Sequence, residues 1–521
     1  GGGRGIVAAR GVAPGEPLVR VPAELGLSDA WDPARDGPDL YPGAPWGVRL
    51  AAKLLRERAE GQGGARAPWL AVLPESVPSA YFFEWEETRE IQYAPLLADL
   101  DRYGLLVQDS LRSAGGAGSS AVGGASKEEW EWAMALVHSR SFAVLTSAPE
   151  VGGGGEGVVE SVDGRVLMRL MVPLVDMFNH SGDLGFYTRD AAAPGPSAGA
   201  VWEAVESPGG VLELEVRGSP PPAEDLWGEE PGVSEFFMPD DNSAGERGGA
   251  AMIEAEGESS QGFPPVDVVP TGDEIFFSYG DRPNDDFLLH YGFVPLHNPH
   301  DSVELFEGLP EALEWYTGRF LSDLGPGEVA QRRVQAEAAA EAADTAAEVG
   351  EEAAVRALRE LQRVGEPGPA RDPMSLLLGG RLDPRLTPVF AAMAGAELGK
   401  NLSIDIGGGA GDGEVVLDTA IDASDLLQAD AAVVERCLEL LNVFPTTLVE
   451  DLELLAGLPS VEQAHFSELL RHFSDGSGRP QPEGVGPGGV PWTENLYKAV
   501  AFRCHKKLVL HDAVERLGPP E

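Results

Sequence analysis

Between Met171 and Ser181 the chain reads Met-Val-Pro-Leu-Val-Asp-Met-Phe-Asn-His-Ser. An apolar run with Pro173 near its start ends abruptly in Asp176, Asn179, His180 and Ser181, so a segment apolar enough to be buried delivers four polar side chains together. Asn179 offers both amide donors and an acceptor, and neutral His180 one of each. Leaving such groups unpaired in an apolar setting costs about 1–3 kcal/mol each, so the fold must bring partners to this point. For an isolated Asn-His pair, a satisfied core turn is the plainest reading.

A second stretch a hundred residues later changes that reading: Gly272-Asp-Glu-Ile-Phe-Phe-Ser-Tyr-Gly280, followed by Asn284-Asp-Asp-Phe-Leu-Leu-His-Tyr-Gly-Phe293. Taken in order, the two stretches resemble the signature segments of SET-domain methyltransferases, the Asn-His-Ser segment and the Gly-Asp/Glu-Glu-aliphatic…Tyr segment. The spellings Asp-Met-Phe-Asn-His-Ser and Tyr-Gly-Phe narrow the resemblance to the branch typified by plant Rubisco large-subunit lysine methyltransferase. Neither half is specific alone; the ordered pair is.

At 521 residues the chain exceeds one hydrophobic core, and 43% hydrophobic content is ordinary for globular domains. The charge is not ordinary, with 38 Lys plus Arg against 85 Asp plus Glu and a net charge of −47. Such a surface repels phosphate backbones, which argues against nucleic-acid binding and favours basic partners, although solubility alone also accounts for it. Only Cys437 and Cys504 are present, so a disulfide framework and a Cys-rich zinc site are excluded, no metal is expected, and a reducing compartment is indicated. No apolar run approaches the ~20 residues of a membrane span.

Residues 1–22 read as short strands about a Pro14-Gly15 turn. Gly3-Arg4-Gly5-Ile-Val-Ala8 fits a dinucleotide fingerprint, but no strand precedes it within the given sequence and Pro14-Gly15 cuts off the helix that fingerprint must open. A Rossmann-type enzyme is therefore rejected. From about 45 to 145 the pattern is helical, notably over Lys127–Arg140, and the Gly, Ala and Ser of Ser113–Ser126 predict a flexible loop. An insertion at about 191–262 follows, with fifteen acidic residues from Glu203 to Glu258 against Arg217 and Arg247, and the strand-like fragment Val211–Val216 within it. Past Pro295 the chain reads as helices: Glu328–Val364 broken at Gly350, Ala431–Leu455 with a cap at Thr446 or Thr447, and Trp492–Leu517.

The resemblance implies an α+β fold: a SET domain of small sheets with a pseudoknot over 1–295, carrying the helical insert and the acidic insertion, then an all-helical substrate-binding domain over 296–521. It implies S-adenosylmethionine as cofactor, held by Gly3, Arg4, Gly5, Arg140, Asn179, His180 and Phe293. Tyr279 is then the catalytic tyrosine, and Arg140, Asp176, Tyr279 and Tyr291 face the substrate, a lysine of a non-histone protein. Val144 departs from the pattern, standing where the plant enzyme has a second substrate-facing arginine. A histidine acceptor and a non-catalytic adaptor remain alternatives. A monomer is expected. The plant branch favours the chloroplast, with cytoplasm and nucleus open.

Overall fold

The structure, a computed structural model, describes residues 5–30, 44–147, 161–162, 165–181, 199–206, 212–219, 269–350, 372–396, 403–405, 416–418, 423–460, 462–474, 486–487 and 490–518. Gly3 and Arg4 lie outside these residues, as does the acidic insertion apart from its strands Ala200–Glu206 and Leu212–Gly218. The fold is α+β, with small sheets and a helical C-terminal region. The chain divides into two compact units.

The first unit is drawn from three stretches, Gly1–Val19, Met177–Glu203 and Glu215–Ser278. At its centre the strand Glu274–Phe277 pairs antiparallel with Ile6–Val7, Ile6 opposite Ile275, and parallel with Asn179–His180, Phe276 opposite Asn179 and Phe277 opposite His180. Burial alternates along the central strand: Ile275 and Phe277 are in the core while Glu274 and Phe276 are half-buried, the period of two of a strand with one wet face. The predicted turn at Pro14-Gly15 leads into the strand Pro17–Pro22, and the Gly15 amide donates to the Gly218 carbonyl at 2.9 Å while the Gly218 amide donates to Glu16.

The second unit holds Arg20–Asp176, Ala204–Leu214 and Tyr279–Glu521. The helices Trp46–Ala59 and Lys127–Arg140 form where the sequence predicts them. Ser126 and Glu129 cap the second helix reciprocally, each side chain accepting from the other's backbone amide. Around them Leu50, Leu54, Trp130, Met134 and Leu136 build one core. Beside it the strands Leu27–Ser28, Arg165–Met171 and Phe142–Ser147 form a sheet in that order, with Val144 buried opposite Met168.

The stretch predicted to be a flexible loop at Ser113–Ser126 is instead packed. Ala121 and Val122 are buried in the same core. Gly123 has φ +65°, and a Cβ there would stand 2.9 Å from the Leu55 carbonyl oxygen. Glycine at that position serves close approach rather than slack.

A second core joins residues from both sides of position 295. Ile91, Tyr93 and Leu96 of the insert and Leu288 pack with Phe306, Phe390, Val433, Phe502 and Leu510. The C-terminal region, expected to be all-helical, is mainly helical but carries two small sheets: Ser302–Phe306, Met374–Leu377 and Arg381–Leu382 in sequential order, and the antiparallel pair Ser403–Asp405 with Val416–Asp418. Val303, Leu305, Phe306, Met374 and Leu376 are the buried positions of the three-stranded sheet, a period of two broken by the bulge before Phe306 and too short to stand out among helical segments. Thr447 caps Leu448–Ala456 through a reciprocal box with Glu450, as its spelling predicts.

A cluster of buried charge lies on the helix Glu494–Leu517. Arg503 is fully buried between Glu90 and Asp451, and Lys507 also reaches Asp451. One residue earlier, Lys506 is held by Asp285 and Asp301. Those two carboxylates outweigh the burial that opposes its charge and raise the Lys506 ammonium above its ordinary range. Among the described residues no helix is long and apolar enough to cross a membrane, and no three His, Cys, Asp or Glu side chains stand together as a metal site.

Candidate active site

The two sequence segments that prompted the functional reading share one ladder. Asn179 and His180 lie beside Phe276 and Phe277 in the first unit, and the Asn179 side-chain amide donates to Glu274 Oε1 at 2.6 Å. That bond fixes which way the amide points. Gly5 lies against the same pair: a Cβ there would stand 1.9 Å from Glu274 Oε1 and 3.0 Å from Asn179 Nδ2. A side chain at position 5 would thus displace the Glu274–Asn179 bond. Phe178 and Phe277 are both buried, with ring centroids 5.4 Å apart, and form the apolar floor under the strand pair. Phe277 is thus core, whereas Phe276 is half-buried.

In the second unit the apolar run ends in a strained turn. Leu174, following Pro173, has φ +69°, a region non-glycine residues seldom occupy. The turn lowers Asp176 into a pocket where it is 6% exposed. Trp69 donates its indole N–H to Asp176 Oδ2 at 3.2 Å, and Arg140, at the end of its helix, donates to the Asp176 carbonyl and stands 3.7 Å from Oδ2. Among the described residues Oδ1 accepts no hydrogen bond. Burial pushes the Asp176 carboxyl up to about 6, against the pull of Arg140 and Trp69. Arg140 and Asp176 are thus brought together, and Trp69 is a partner that sequence reasoning missed. The indole lies 107 positions away in the chain.

The aromatic residues predicted around the tyrosine also assemble in the second unit. Tyr279 and Tyr291 have ring centroids 4.9 Å apart, and Tyr291 is flanked by Phe287 at 5.8 Å and Phe293 at 6.3 Å. The Arg282 guanidinium sits 5.9 Å from the Tyr291 ring centroid and donates to the Tyr279 carbonyl at 3.1 Å, bracing both tyrosines. Burial raises the Tyr291 phenol above its ordinary range, so it stays neutral at physiological pH.

Phe287–Tyr291 is a π-helical turn, a local widening often found at functional sites. Ser79 fastens it by donating to the Leu289 carbonyl at 2.5 Å. Gly292 ends it at φ +71°, where a Cβ would stand 1.6 Å from the Pro78 carbonyl oxygen. Gly292→Ala is therefore expected to cost about 2 kcal/mol of stability from the left-handed backbone alone. Urea unfolding checks it, and an unchanged midpoint would mean that the backbone at position 292 leaves the left-handed region when a Cβ is added.

No family model matches the chain, and no curated protein matches it. Several solved structures do, over nearly its whole length. "Crystal structure of the SET domain of LSMT bound to Lysine and AdoHcy" is 15% identical, with TM-score 0.49 and coverage of 98% of this chain and 84% of that one. "Structure of Rubisco LSMT bound to AdoMet" is 14% identical, with TM-score 0.48 and the same coverage. "Structure of Rubisco LSMT bound to Sinefungin and Monomethyllysine" is 15% identical, with TM-score 0.46, and covers 97% of this chain and 82% of that one.

Proposed function

We propose that this chain is a SET-type protein methyltransferase that uses S-adenosylmethionine and acts on a lysine of a non-histone protein. The observation that carries the reading is the parallel ladder. Asn179-His180 and Phe276-Phe277, remote in sequence, are adjacent strands, and Tyr279 follows two residues after Phe277. A satisfied core turn would need no such ordered pair of segments.

Methyl transfer from a sulfonium to an amine is a direct displacement, so the protein's work is alignment and exclusion of water. When bound, the cofactor supplies an activated methyl group. The residues suit such a cation: the Glu274 carboxylate stands beside Asn179, and Gly5 leaves the backbone there uncovered by any side chain of its own. Asn179, His180 and Gly5 would hold it, with Gly3, Arg4, Arg140 and Phe293 carried over from the resemblance.

The acceptor amine must arrive neutral, although its ordinary pKa is about 10.4. Tyr279, Tyr291 and Phe293 supply an aromatic wall that disfavours the charged form by desolvation. The Tyr279 hydroxyl would orient the amine rather than act as a strong base, and Asp176 and Arg140 would face the substrate. Residues 1–295 would form the catalytic module and 296–521 the docking module, a division of labour rather than of packing, since one core spans both. The chloroplast is the compartment we favour.

Incubation with radiolabelled S-adenosylmethionine and a plant cell extract is expected to label one principal protein band, and mass spectrometry of that band is expected to place the methyl on lysine nitrogen. Tyr279→Phe is expected to lower the labelling rate at least about tenfold, with cofactor affinity retained. Calorimetry detecting no binding of S-adenosylmethionine would leave only an adaptor with this fold.

A further inference from the structure

The turn that follows Tyr279 has little packed against it. Gly280 has φ +98°, and among the described residues nothing stands within 4 Å of a Cβ built there. The Asp281 side chain is 72% exposed. The ties that hold this turn are polar instead. Arg282 donates back to the Tyr279 carbonyl at 3.1 Å and forward to Asp286 at 3.2 Å, and its own carbonyl accepts from Asn298 Nδ2 at 2.8 Å.

From Asn298 the ties run inward to the C-terminal helix. Asn298 is buried, and its side-chain amide also donates to Asn284 Oδ1 at 2.9 Å while its Oδ1 accepts from the His300 amide at 3.0 Å. Asn284 is completely buried and donates through its backbone and side-chain amides to the two oxygens of Asp301, each at 3.0 Å. Asp301 Oδ1 accepts in turn from Lys506 Nζ at 2.7 Å. The same ammonium donates to Asp285, the residue after Asn284, and to the Ser302 carbonyl at 2.6 Å, so all three of its hydrogens are engaged. Buried ion pairs of this kind are often no more stabilising than apolar side chains of similar volume. Stability therefore does not account for the network. What apolar contact does not supply is direction, and hydrogen bonds weaken steeply off their preferred angle. Each link from Lys506 to the Arg282 carbonyl is such a bond, so the chain of contacts gives the turn one place to sit.

We infer that Lys506 is a positioning residue for methyl transfer: through Asp301, Asn284 and Asn298 it sets the turn Tyr279–Arg282, and with it the angle at which the Tyr279 phenol meets the acceptor amine. The inference rests on the role proposed above for Tyr279, and it gives the C-terminal helix a part in the chemistry as well as in docking. Lys507, the next residue on that helix, supplies the control, because it pairs with Asp451 in the separate cluster around Arg503. The assay uses the full chain, radiolabelled S-adenosylmethionine and plant cell extract. Lys506→Met is expected to lower the labelling rate at saturating cofactor at least about tenfold, with the KM for cofactor changed less than about twofold. Lys507→Met also breaks a buried ion pair, yet is expected to keep the labelling rate per folded molecule. Asn298→Ala, which leaves both ion pairs of Lys506 in place, is expected to act as Lys506→Met does and decides the matter if Lys506→Met does not fold. Hydrogen exchange read by mass spectrometry reports on the turn without turnover: residues 279–286 are expected to exchange at least about tenfold faster in Asn298→Ala than in wild type or Lys507→Met. Unchanged exchange there, an unchanged labelling rate in Asn298→Ala, or equal losses in Lys506→Met and Lys507→Met would overturn the inference. A wild type that labels nothing would overturn the methyltransferase reading and this role with it, and faster exchange in Asn298→Ala would then show that the tie to the turn exists without that chemistry.

Discussion

Replacing Arg503 by methionine lowers the free energy of unfolding by about 3–5 kcal/mol, the usual result of removing one partner from a buried ionic cluster. The guanidinium is fully buried, donating through Nε to Asp451 at 2.9 Å and through Nη1 to the Glu90 carbonyl at 2.9 Å, and pairing with the Glu90 carboxylate. Methionine fills much of the volume and replaces none of the charge. Asp451 would keep only Lys507 as a cationic partner, and burial already holds Lys507 below its ordinary range. The same network reaches the insert by a second route, from Lys507 to Thr446 and from Thr446 to Gln92, each at 2.8 Å. Urea unfolding at constant pH measures the effect. A loss below about 1 kcal/mol would mean that the carboxylates reach water when Arg503 is gone.

Acidification from pH 7 to pH 5 is expected to destabilise the fold by about 5 kcal/mol net. Burial holds His138, His290 and His465 neutral, each down to about 3, and His505 down to about 4. The rings of the first two are stacked with centroids 5.5 Å apart, so each also opposes a charge on its neighbour. Unfolded histidines titrate near 6.5, so below that pH the unfolded chain binds more protons and each buried histidine costs about 2 kcal/mol by pH 5. Two carboxylates act in the opposite direction. Burial raises Asp176 and Asp285 to about 6, so on protonation in the folded state each returns about 1.3 kcal/mol over the same interval. The histidines outweigh them. Thermal midpoints measured at both pH values check the sign, and a midpoint that rises on acidification would show the carboxylates to dominate.

Much of the local architecture is written in short stretches. Ser126 with Glu129 and Thr447 with Glu450 are caps whose partners are three residues apart, so their spelling suffices. The Asn-His and Phe-Phe-Ser-Tyr segments mark a shared ladder because their order is distinctive even though their separation is large. What sequence could not supply are contacts between residues of ordinary type: Trp69 with Asp176, Ser79 with the Leu289 carbonyl, and Arg503 with Glu90, the last 413 positions apart. The π turn at Phe287–Tyr291 also has no periodicity of its own within five residues. Glycine-rich spelling misled at Ser113–Ser126 because glycine marks both slack chain and tight contact, and only the neighbours, here the Leu55 carbonyl, decide which.

The central ladder of the first unit has a bearing on the order of assembly. Its three strands begin at Ile6, Asn179 and Glu274, so each pairing must close a long loop before it repays the lost entropy. During synthesis Asn179 emerges about 95 residues ahead of its partner Glu274, and the N-terminal strand waits longer still. The helices Trp46–Ala59 and Lys127–Arg140, whose shared core is drawn mostly from residues 44–137, face no such delay. On that count the insert's own core is expected to form before the ladder, and the contacts of Arg503 with Glu90 only after it.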